Sequence, residues 1–466
     1  MIAGLSATLG FAAPAKPATA PAPKKADDLV TQVADGYRGI WYMNQPTKDE
    51  YHYKYSGGLG TYPQCILPFA VHSKEANKTF FCYGGSPREK NELLMMVSFY
   101  DHATRRVPRP TILLNKKTDD AHDNPSMAID DRGHVWIFSN AHGTSRPAWI
   151  HRGVKPFSVD AFEEVLKTNF SYGQPWFVPG RGFLFMHTRY RDKGRSSFWM
   201  TSPDGRDWSQ PQLLSRIELG HYQVSQTCGT RVATAFNMHP RPVGLNARTN
   251  LYYVETPDFG RTWRAADGTE ITPPLSEVKN PALVHDARSE GLLVYMKDLA
   301  FDADGRPVIL YLTSRGFEPG PRSDPRALRT ARWTGKAWEL RPLAATDHNY
   351  DFGSLYIEEG GPWKAIATTD PGPQPHMTGG EVVVWTSPDQ GKTWTKAKVL
   401  TSGSPRNHTY VRRPVNAHPD FYAFWADGDS SKPSESRLYF TDRDCSAVWR
   451  LPPVMPAEFA EPEKVK

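Results

Sequence analysis

A repeat of about fifty residues constrains the fold of this chain more than any other feature of its sequence. Seven successive units each contain four short apolar or aromatic runs separated by turn residues, with no amphipathic helix between them. The units start at Leu67, Ser126, Gln174, Tyr222, Asn280, Asp351 and His408. A fixed period of this length with four strands per unit is typical of propellers. We therefore predict an all-β fold, a seven-bladed β-propeller with four-stranded antiparallel blades.

Three units share a turn sequence after their third strand. The turns are Ser202–Trp208 (SPDGRDW), Thr256–Trp263 (TPDFGRTW) and Ser387–Trp394 (SPDQGKTW). They resemble the Asp boxes of sialidase-like propellers, in which Asp and Gly shape the turn and Trp packs between blades. We therefore assign these turns a structural role and no part in the chemistry.

The composition agrees with many short aromatic strands and limits the partners. The chain has 14 Trp, 20 Tyr and 22 Phe, and a formal charge of +6. Because no dense Lys/Arg run with interleaved aromatics occurs, we expect no nucleic-acid partner. The modest positive charge suits an acidic polysaccharide or oligosaccharide. No apolar run reaches the roughly eighteen residues of a membrane span, so we expect no transmembrane helix. We also expect the protein to be a monomer.

The N-terminal residues 1–26 predict a leader that precedes a single domain spanning residues 27–466. Met1–Ala13 is apolar and Pro14–Lys25 is rich in Pro, Ala and Lys. This order resembles the apolar part and cleavage region of a secretory signal, although its basic start is missing. We expect a secreted or periplasmic protein. The four cysteines match no metal-binding spacing and allow one or two disulfides; they are Cys65, Cys82, Cys228 and Cys445.

Two histidines flank one predicted hairpin. The strands Ser126–Ile129 and His134–Ser139 are joined by the tight turn Asp130–Gly133. His122 precedes the first strand and His142 follows the second, so both should lie on one rim of the propeller. Histidine can accept and return a proton near neutral pH. The alternative is that these are ordinary polar residues of the rim.

Strand alternation places further polar residues on the same face as this histidine pair. Besides Tyr190, Arg195 and Asn407, this face should carry six residues that we predict to bind substrate. They are Tyr222, His239, Arg248, Asn280, Tyr350 and His408. Polar groups gathered from several blades around a central funnel form the default ligand site of such a fold. The polar and aromatic stretch Asn44–Tyr62 is expected to be a loop.

These residue types suit removal of the proton next to a uronate carboxylate. The reaction needs a cation on the carboxylate, a base for the carbon-bound proton and an acid for the departing oxygen. Arg195 or Arg248 could supply the cation, while His122, His142 and Tyr190 could transfer protons. No carboxylate pair stands out for hydrolysis, no triad of arginines typical of sialidases is found, and metal ligands stay unassigned.

Six segments together resemble a known group of seven-bladed propellers. The segments are Tyr37–Tyr42 (YRGIWY), Lys54–Tyr62 (KYSGGLGTY), Lys78–Gly85 (KTFFCYGG), His122–Pro125 (HDNP), Arg248–Tyr253 (RTNLYY) and Tyr410–Pro414 (YVRRP). The group contains ulvan lyases, L-rhamnose-α-1,4-D-glucuronate lyases and related propeller α-L-rhamnosidases.

The resemblance implies cleavage of the rhamnose–glucuronate linkage by β-elimination. It implies that His122 and His142 are the acid/base pair, assisted by Tyr190 and Arg195. It implies no cofactor for catalysis and allows a structural calcium or zinc ion. The related rhamnosidases use a histidine near the GLGTY segment, where this chain has Gln64, a residue that cannot titrate. The alternatives are an α-L-rhamnosidase acting on the same linkage and a propeller that binds acidic glycans without catalysis.

Overall fold

The computed structural model describes residues 29–59, 65–191 and 194–466. These residues form seven antiparallel sheets arranged as the blades of a propeller, so the predicted all-β seven-bladed fold is confirmed. The predicted leader, residues 1–26, and Gln64 lie outside the described residues.

The first three blades contain the strands of the N-terminal part of the chain. Blade one contains β1 (Leu29–Val33), β4 (Ala70–Ser73), β5 (Lys78–Gly85), β6 (Leu94–Asp101) and β8 (Thr111–Asn115); β2 (Tyr42–Pro46) pairs with β3 (Tyr53–Gly57), and β7 (Val107–Pro108) with β35 (Phe459–Ala460). Blade two contains β9 (Pro125–Ile129), β10 (Val135–Ser139), β11 (Ala148–Gly153) and β12 (Phe162–Thr168). Blade three contains β13 (Ser171–Val178), β14 (Gly182–Arg191), β15 (Gly194–Ser202) and β16 (Gln212–Ser215).

The remaining blades follow the same plan. Blade four contains β17 (Gln223–Cys228), β18 (Arg231–Met238), β19 (Thr249–Thr256), β20 (Trp263–Arg264), β21 (Glu270–Ile271) and β22 (Leu283–His285). Blade five contains β23 (Leu293–Phe301), β24 (Pro307–Ser314), β25 (Arg326–Trp333) and β26 (Trp338–Thr346). Blade six contains β27 (Gly353–Tyr356), β28 (Trp363–Asp370), β29 (Glu381–Ser387) and β30 (Thr395–Val399). Blade seven contains β31 (Asn407–Arg412), β32 (Ala423–Gly428), β33 (Leu438–Thr441), β34 (Val448–Arg450) and β36 (Glu463–Lys464). Three one-turn 3-10 helices are Ala121–Asp123, Gly244–Ala247 and Pro321–Ser323.

The first strands of the blades contact one another around the central axis, as β9 contacts β13 and β23 contacts β27. The predicted hairpin of blade two has Val135 opposite Ile129 and Ser139 opposite Pro125. Its turn is closed by Gly133, whose φ of +83° favours glycine. The entrance of β9 and the exit of β10 therefore lie at one rim, which we call the front face.

The first and last blades close the ring through backbone contacts. Val71 of β4 bridges Val415, which follows β31. The amide of His72 donates to the Val415 carbonyl at 2.9 Å, and the amide of Val415 donates to the Ala70 carbonyl at 2.9 Å. Buried aromatic rings add to these bonds, since Phe81 of β5 packs on Phe421 and Phe424 of blade seven with ring centroids 5.8 and 5.3 Å apart. The β7–β35 pair also joins the two ends of the chain.

The Asp boxes have the predicted structural role. Asp204 accepts hydrogen bonds from the amides of Arg206 and Asp207, both within the turn. Trp263 of blade four packs on Trp199 of blade three, with ring centroids 5.2 Å apart. These tryptophans therefore join neighbouring blades.

Two other expectations are corrected. The stretch predicted as a loop from Asn44 forms the β2–β3 hairpin over its described part, residues 44–59. All four cysteines are free, so the disulfides that their number allowed are not formed. Within the described residues, no helix has the length and apolar character needed to cross a membrane.

Candidate functional site

His122 and His142 lie side by side on the front face. Asp120 caps the 3-10 helix Ala121–Asp123, because its Oδ1 accepts a hydrogen bond from the His122 amide at 3.1 Å. The cap holds the His122 ring toward β10, at whose exit His142 stands. The two imidazole rings stack with centroids 4.0 Å apart and planes 16° from parallel. The hairpin argument thus correctly brings this pair together.

Asp120 binds both imidazoles through its two oxygens. Nδ1 of His122 donates to Oδ1 at 2.6 Å, and Nδ1 of His142 donates to Oδ2 at 2.8 Å. An ionised carboxylate only accepts hydrogen bonds, so each neutral ring carries its proton on Nδ1 and has an unprotonated Nε2. Burial raises the pKa of Asp120, but the hydrogen bonds and charges of the two histidines outweigh it and hold this pKa well below its usual value.

A second carboxylate, Asp123, stabilises this arrangement through contacts with His142 and Arg146. It accepts hydrogen bonds from the His142 amide at 2.7 Å and from Nε of Arg146 at 2.9 Å. Nζ of Lys116 lies 3.2 Å from Asp123 Oδ2, with both side chains fully buried. Burial lowers the pKa of Lys116 to about 8 although the Asp123 charge opposes it. Arg146 also donates to Oδ2 of Asp120 at 3.0 Å. Contacts with Lys116 and Arg146 therefore hold the carboxylates of Asp120 and Asp123 in place.

The two histidines differ in exposure. His122 is 2% exposed, and its Nε2 lies 3.3 Å from the Tyr55 hydroxyl. Burial lowers the pKa of His122 more than the Asp120 hydrogen bond raises it, so this ring is neutral at neutral pH. The side chain of His142 is 30% exposed. His142 is therefore the more solvent-accessible of the two imidazoles.

Tyr190 and Arg195 complete the predicted catalytic set on the neighbouring blade. They oppose each other across β14 and β15, and Nε of Arg195 donates to the Tyr190 hydroxyl at 3.3 Å. The Tyr190 ring lies 6.0 Å from the His142 ring, and its hydroxyl is 2.8 Å from that of Tyr172. Burial raises the pKa of Tyr190 against the opposing charge of Arg195, so its hydroxyl stays protonated at neutral pH.

Four predicted substrate-binding residues extend this set toward the axis. The Tyr222 ring lies 5.5 Å from the guanidinium of Arg195 and 5.0 Å from that of Arg248. His239 contacts the same ring edge-on at 4.8 Å, and burial lowers its pKa well below the usual value. Arg248 donates to the Tyr350 hydroxyl at 3.3 Å. Two arginines on one tyrosine make this part of the site positively charged.

The other two predicted binding residues are not brought to the histidine pair. Asn280 braces its own turn, donating to the Glu277 carbonyl and accepting from the Ala282 amide. His408 is buried in blade seven, where its Nε2 lies 3.0 Å from the Ser404 hydroxyl and its Nδ1 accepts from the indole of Trp425. Their local hydrogen bonds give both side chains a structural explanation.

The comparison with known families agrees with this architecture. Residues 95–346, more than half of the chain, match the model of the BNR repeat-containing family. The chain belongs to this BNR repeat-containing family. This confirms the repeat architecture that the period of the sequence predicts.

Several known relatives of this BNR repeat protein are lyases. An ulvan lyase of Nonlabens ulvanivorans is 22% identical over 443 residues, covering 81% of this chain and 86% of the relative. An ulvan lyase of Alteromonas sp. (strain LOR) is 20% identical and covers 81% and 83%. A solved ulvan lyase of family PL25, bound to -[GlcA(1-4)Rha3S]-, superposes with a TM-score of 0.68 at 15% identity over 89% of this chain and 96% of that chain. The predicted resemblance to the ulvan lyase group is confirmed.

The β2–β3 hairpin of the BNR repeat protein supplies site residues that sequence reasoning missed. The Tyr42 ring contacts His122 edge-on at 5.5 Å, beside Tyr55. Lys54 donates to Oδ1 of Asn246 and lies 4.8 Å from the Phe317 ring. Burial, with the nearby Arg248 charge, lowers the pKa of Lys54 to about 6. The only sequence signal for these residues is their place in two of the segments that resemble the lyase group.

Among the described residues of the BNR repeat protein, two groups of side chains bring possible metal-ligand atoms within 4.8 Å of one another. They are Asp120 with His122 and His142, and His72 with His102 and His418. In the first group both Nδ1 atoms already bind Asp120. The second contains imidazoles alone, which suit zinc, whereas calcium takes oxygen ligands. Of the two ions that the resemblance allows, the all-histidine group therefore fits zinc.

Proposed function

We propose that this protein is a polysaccharide lyase that cleaves the L-rhamnose-α-1,4-D-glucuronate linkage of an acidic glycan by β-elimination. The observation that carries the proposal is the Asp120 carboxylate that binds both imidazoles and leaves each Nε2 unprotonated. The similarity to ulvan lyases supports the same reaction class. A polymeric substrate also agrees with the export that the N-terminal sequence predicts.

In the proposed reaction, His142 removes the proton from the carbon next to the uronate carboxylate. Its Nε2 has a free lone pair, and its side chain is the exposed one of the pair. The protonated His142 is stabilised by the ionised Asp120. His122 stacks on it at 4.0 Å, shares the same carboxylate and belongs to the same acid/base set.

Tyr190 is the proposed acid for the leaving oxygen. The electron pair of the broken C–H bond forms the carbon–carbon double bond, the glycosidic C–O bond breaks, and the leaving oxygen takes the Tyr190 proton. The raised pKa of Tyr190 keeps that proton available at neutral pH. Arg195, whose Nε contacts the same hydroxyl, can bind the uronate carboxylate and stabilise the charge that develops on it.

The proposal is tested by incubating the protein with ulvan and with rhamnose-capped oligosaccharides of gum arabic. A lyase releases products with a carbon–carbon double bond, which absorb in the ultraviolet and are recognised by mass spectrometry. Hydrated products would indicate an α-L-rhamnosidase instead. Binding of the glycan without release of any product would indicate a non-catalytic propeller.

Replacement of Asp120 by Asn is expected to lower the rate of cleavage by about 10²-fold or more. Asn keeps the size and the capping oxygen of Asp120 but loses the charge that fixes both imidazoles. Activity and circular dichroism should be measured together. The matched control is Asp119→Asn, an exposed neighbour that should keep full activity. Equal activity of the two variants would contradict the role of Asp120.

Replacement of Lys54 by Met is expected to raise KM for the acidic glycan about tenfold with little change in kcat. Burial beside Arg248 lowers the pKa of Lys54 to about 6, so the amine is mostly neutral in the free protein at neutral pH. A bound uronate carboxylate raises this pKa and favours the charged amine, whose hydrogen bond to the carboxylate contributes about 1.5–3 kcal/mol before the cost of protonation. Steady-state kinetics of Lys54→Met and of Lys48→Met, an exposed lysine in the β2–β3 turn, provide the comparison. An unchanged KM in Lys54→Met would exclude contact with the substrate charge.

A further inference from the structure

We propose that Lys116 is a positioning residue for the proposed elimination and binds both ends of the loop that carries His142. The loop consists of residues 140–147, which join β10 to β11 in blade two, and we call it the His142 loop. Lys116 directly follows β8 of blade one, so its side chain reaches the loop from the neighbouring blade. The inference rests on the proposed function, in which His142 removes the carbon-bound proton.

The ammonium group of Lys116 uses all three of its N–H donors. Nζ donates to the Asn140 carbonyl at 2.6 Å, at the start of the His142 loop, and to the Pro147 carbonyl at 2.8 Å, at its end. The third partner is the Asp123 carboxylate, whose Oδ2 lies 3.2 Å from Nζ. A lysine ammonium has three donors and no acceptor, so these partners satisfy it completely.

These contacts fix the backbone of His142 from two directions. Asn140 lies two positions before His142, so its bond to Lys116 fixes the start of the loop. The Asp123 carboxylate that Lys116 binds also accepts the hydrogen of the His142 amide at 2.7 Å. Lys116 therefore acts on the backbone position of His142, whereas Asp120 orients its ring.

The middle of the His142 loop is more open than its ends. Thr144 and Ser145 are exposed. Asn169 donates to the Gly143 carbonyl at 2.8 Å and holds this part of the loop by one hydrogen bond. The bonds that Lys116 makes at the two ends therefore limit how far the loop can move.

The groups around Lys116 determine the pH range over which it stays charged. Burial lowers the pKa of Lys116 to about 8, against the charges of Asp123 and Asp120, which favour the protonated amine. The Arg146 charge opposes protonation and adds to this lowering. The nearby His151 is neutral in this range, because burial lowers its pKa to about 4.

The turnover rate should therefore fall as the pH rises through the pKa of Lys116, about 8. The neutral amine has two N–H donors and no charge, so it can neither bind all three acceptors nor balance Asp123. Tyr190 does not cause a fall in this range, because burial raises its pKa above the usual value. We expect kcat of the wild type to be about tenfold lower at pH 9 than at pH 7, with little change in KM. Lys116→Arg should keep its pH 7 rate up to pH 9, because a guanidinium stays charged.

The test measures hydrogen exchange of the peptide that covers residues 140–147 together with kcat on ulvan. In Lys116→Met at pH 7 the side chain keeps its length and loses its charge. We expect exchange about tenfold faster and kcat about 10–10²-fold lower than in the wild type. The matched control is Lys167→Met, which removes an exposed lysine 5.4 Å from the Trp149 ring, a ring that Lys116 also contacts at 4.6 Å. This control should leave both measurements unchanged.

Exchange of the His142 loop at the wild-type rate in Lys116→Met would overturn the inference. So would faster exchange with an unchanged kcat, or a wild-type kcat that stays constant between pH 7 and pH 9. If Lys116→Met does not fold, the pH profiles of the wild type and of Lys116→Arg carry the test. A wild type that cleaves no glycan would count against the proposed function alone, because hydrogen exchange still tests how Lys116 holds the loop.

Discussion

Replacement of His142 by Ala is expected to lower kcat/KM for the glycan by about 10²–10⁴-fold. The variant loses the exposed Nε2 that should remove the carbon-bound proton, and Asp120 loses one of its two partners. The measurement is the initial rate of ultraviolet absorbance of the unsaturated product. His142 is partly exposed, so the loss should appear in the rate and not in the stability of the fold.

The matched control for this variant is His134→Ala. His134 lies on the same hairpin at the end opposite the front face, where its Nδ1 donates to the Gly153 carbonyl at 2.8 Å. We expect this change to lower Tm and to leave kcat/KM within about threefold of the wild type, since it removes no group that faces the funnel. A His142→Ala variant with wild-type rate would exclude this imidazole from the reaction.

The protein is expected to lose stability steeply as the pH falls below about 6.5. Burial lowers the pKa of His151 to about 4, that of His187 to about 3 and that of His221 to about 4. In the unfolded chain these rings titrate near 6.5, so the unfolded state binds more protons below that pH. As the pH falls below 6.5, each ring therefore lowers the free energy of unfolding by about 1.4 kcal/mol per pH unit until the pKa of the folded state is reached. The three rings together lower it by about 4 kcal/mol per pH unit.

Urea unfolding at several pH values between 7.5 and 5 measures this effect. The variant His187→Phe provides the control, because the His187 ring stacks on Phe185 at 4.9 Å and Phe198 at 6.0 Å and a phenyl ring suits that environment. Its free energy of unfolding should fall less steeply than that of the wild type, by about 1.4 kcal/mol per pH unit. A free energy of unfolding independent of pH in this range would contradict the buried neutral state of these rings.

The repeat and the pairing of strands can be predicted from the sequence because both depend on local order. A period of about fifty residues with four strands requires a propeller, and a tight turn at Gly133 forces His122 and His142 onto one rim. Neither conclusion needs knowledge of distant contacts. For the same reason the sequence correctly places Tyr190 and Arg195, which are joined by one hairpin of the next blade, beside the pair.

The residues that orient the pair cannot be predicted in this way. Asp120 lies two positions before His122, and an acidic residue just before a turn is common in protein sequences. Only the folded backbone brings one carboxylate oxygen of Asp120 to each of the two imidazole rings. Lys54 reaches the site because the β2–β3 hairpin crosses from His122 to the loop that holds Asn246. The packing of that hairpin against the rest of the front face depends on contacts between residues far apart in the sequence.

The direction of a strand also does not predict how far a residue lies from the central axis of the propeller. Strand direction predicts that His408 and Asn280 bind substrate, because both residues lie at the front-face end of their blades. The first is bonded within blade seven and the second within its own turn, away from the histidine pair. The rim position of a residue is a local property, whereas its radial position follows from the packing of whole blades.

The central claim is that two imidazoles held by one carboxylate carry out an elimination. It is tested most directly by digesting ulvan in water labelled with heavy oxygen and weighing the products by mass spectrometry. We predict unsaturated products that contain no label, because β-elimination adds no water. Saturated products that carry one labelled oxygen for each bond cleaved would show hydrolysis and contradict this account.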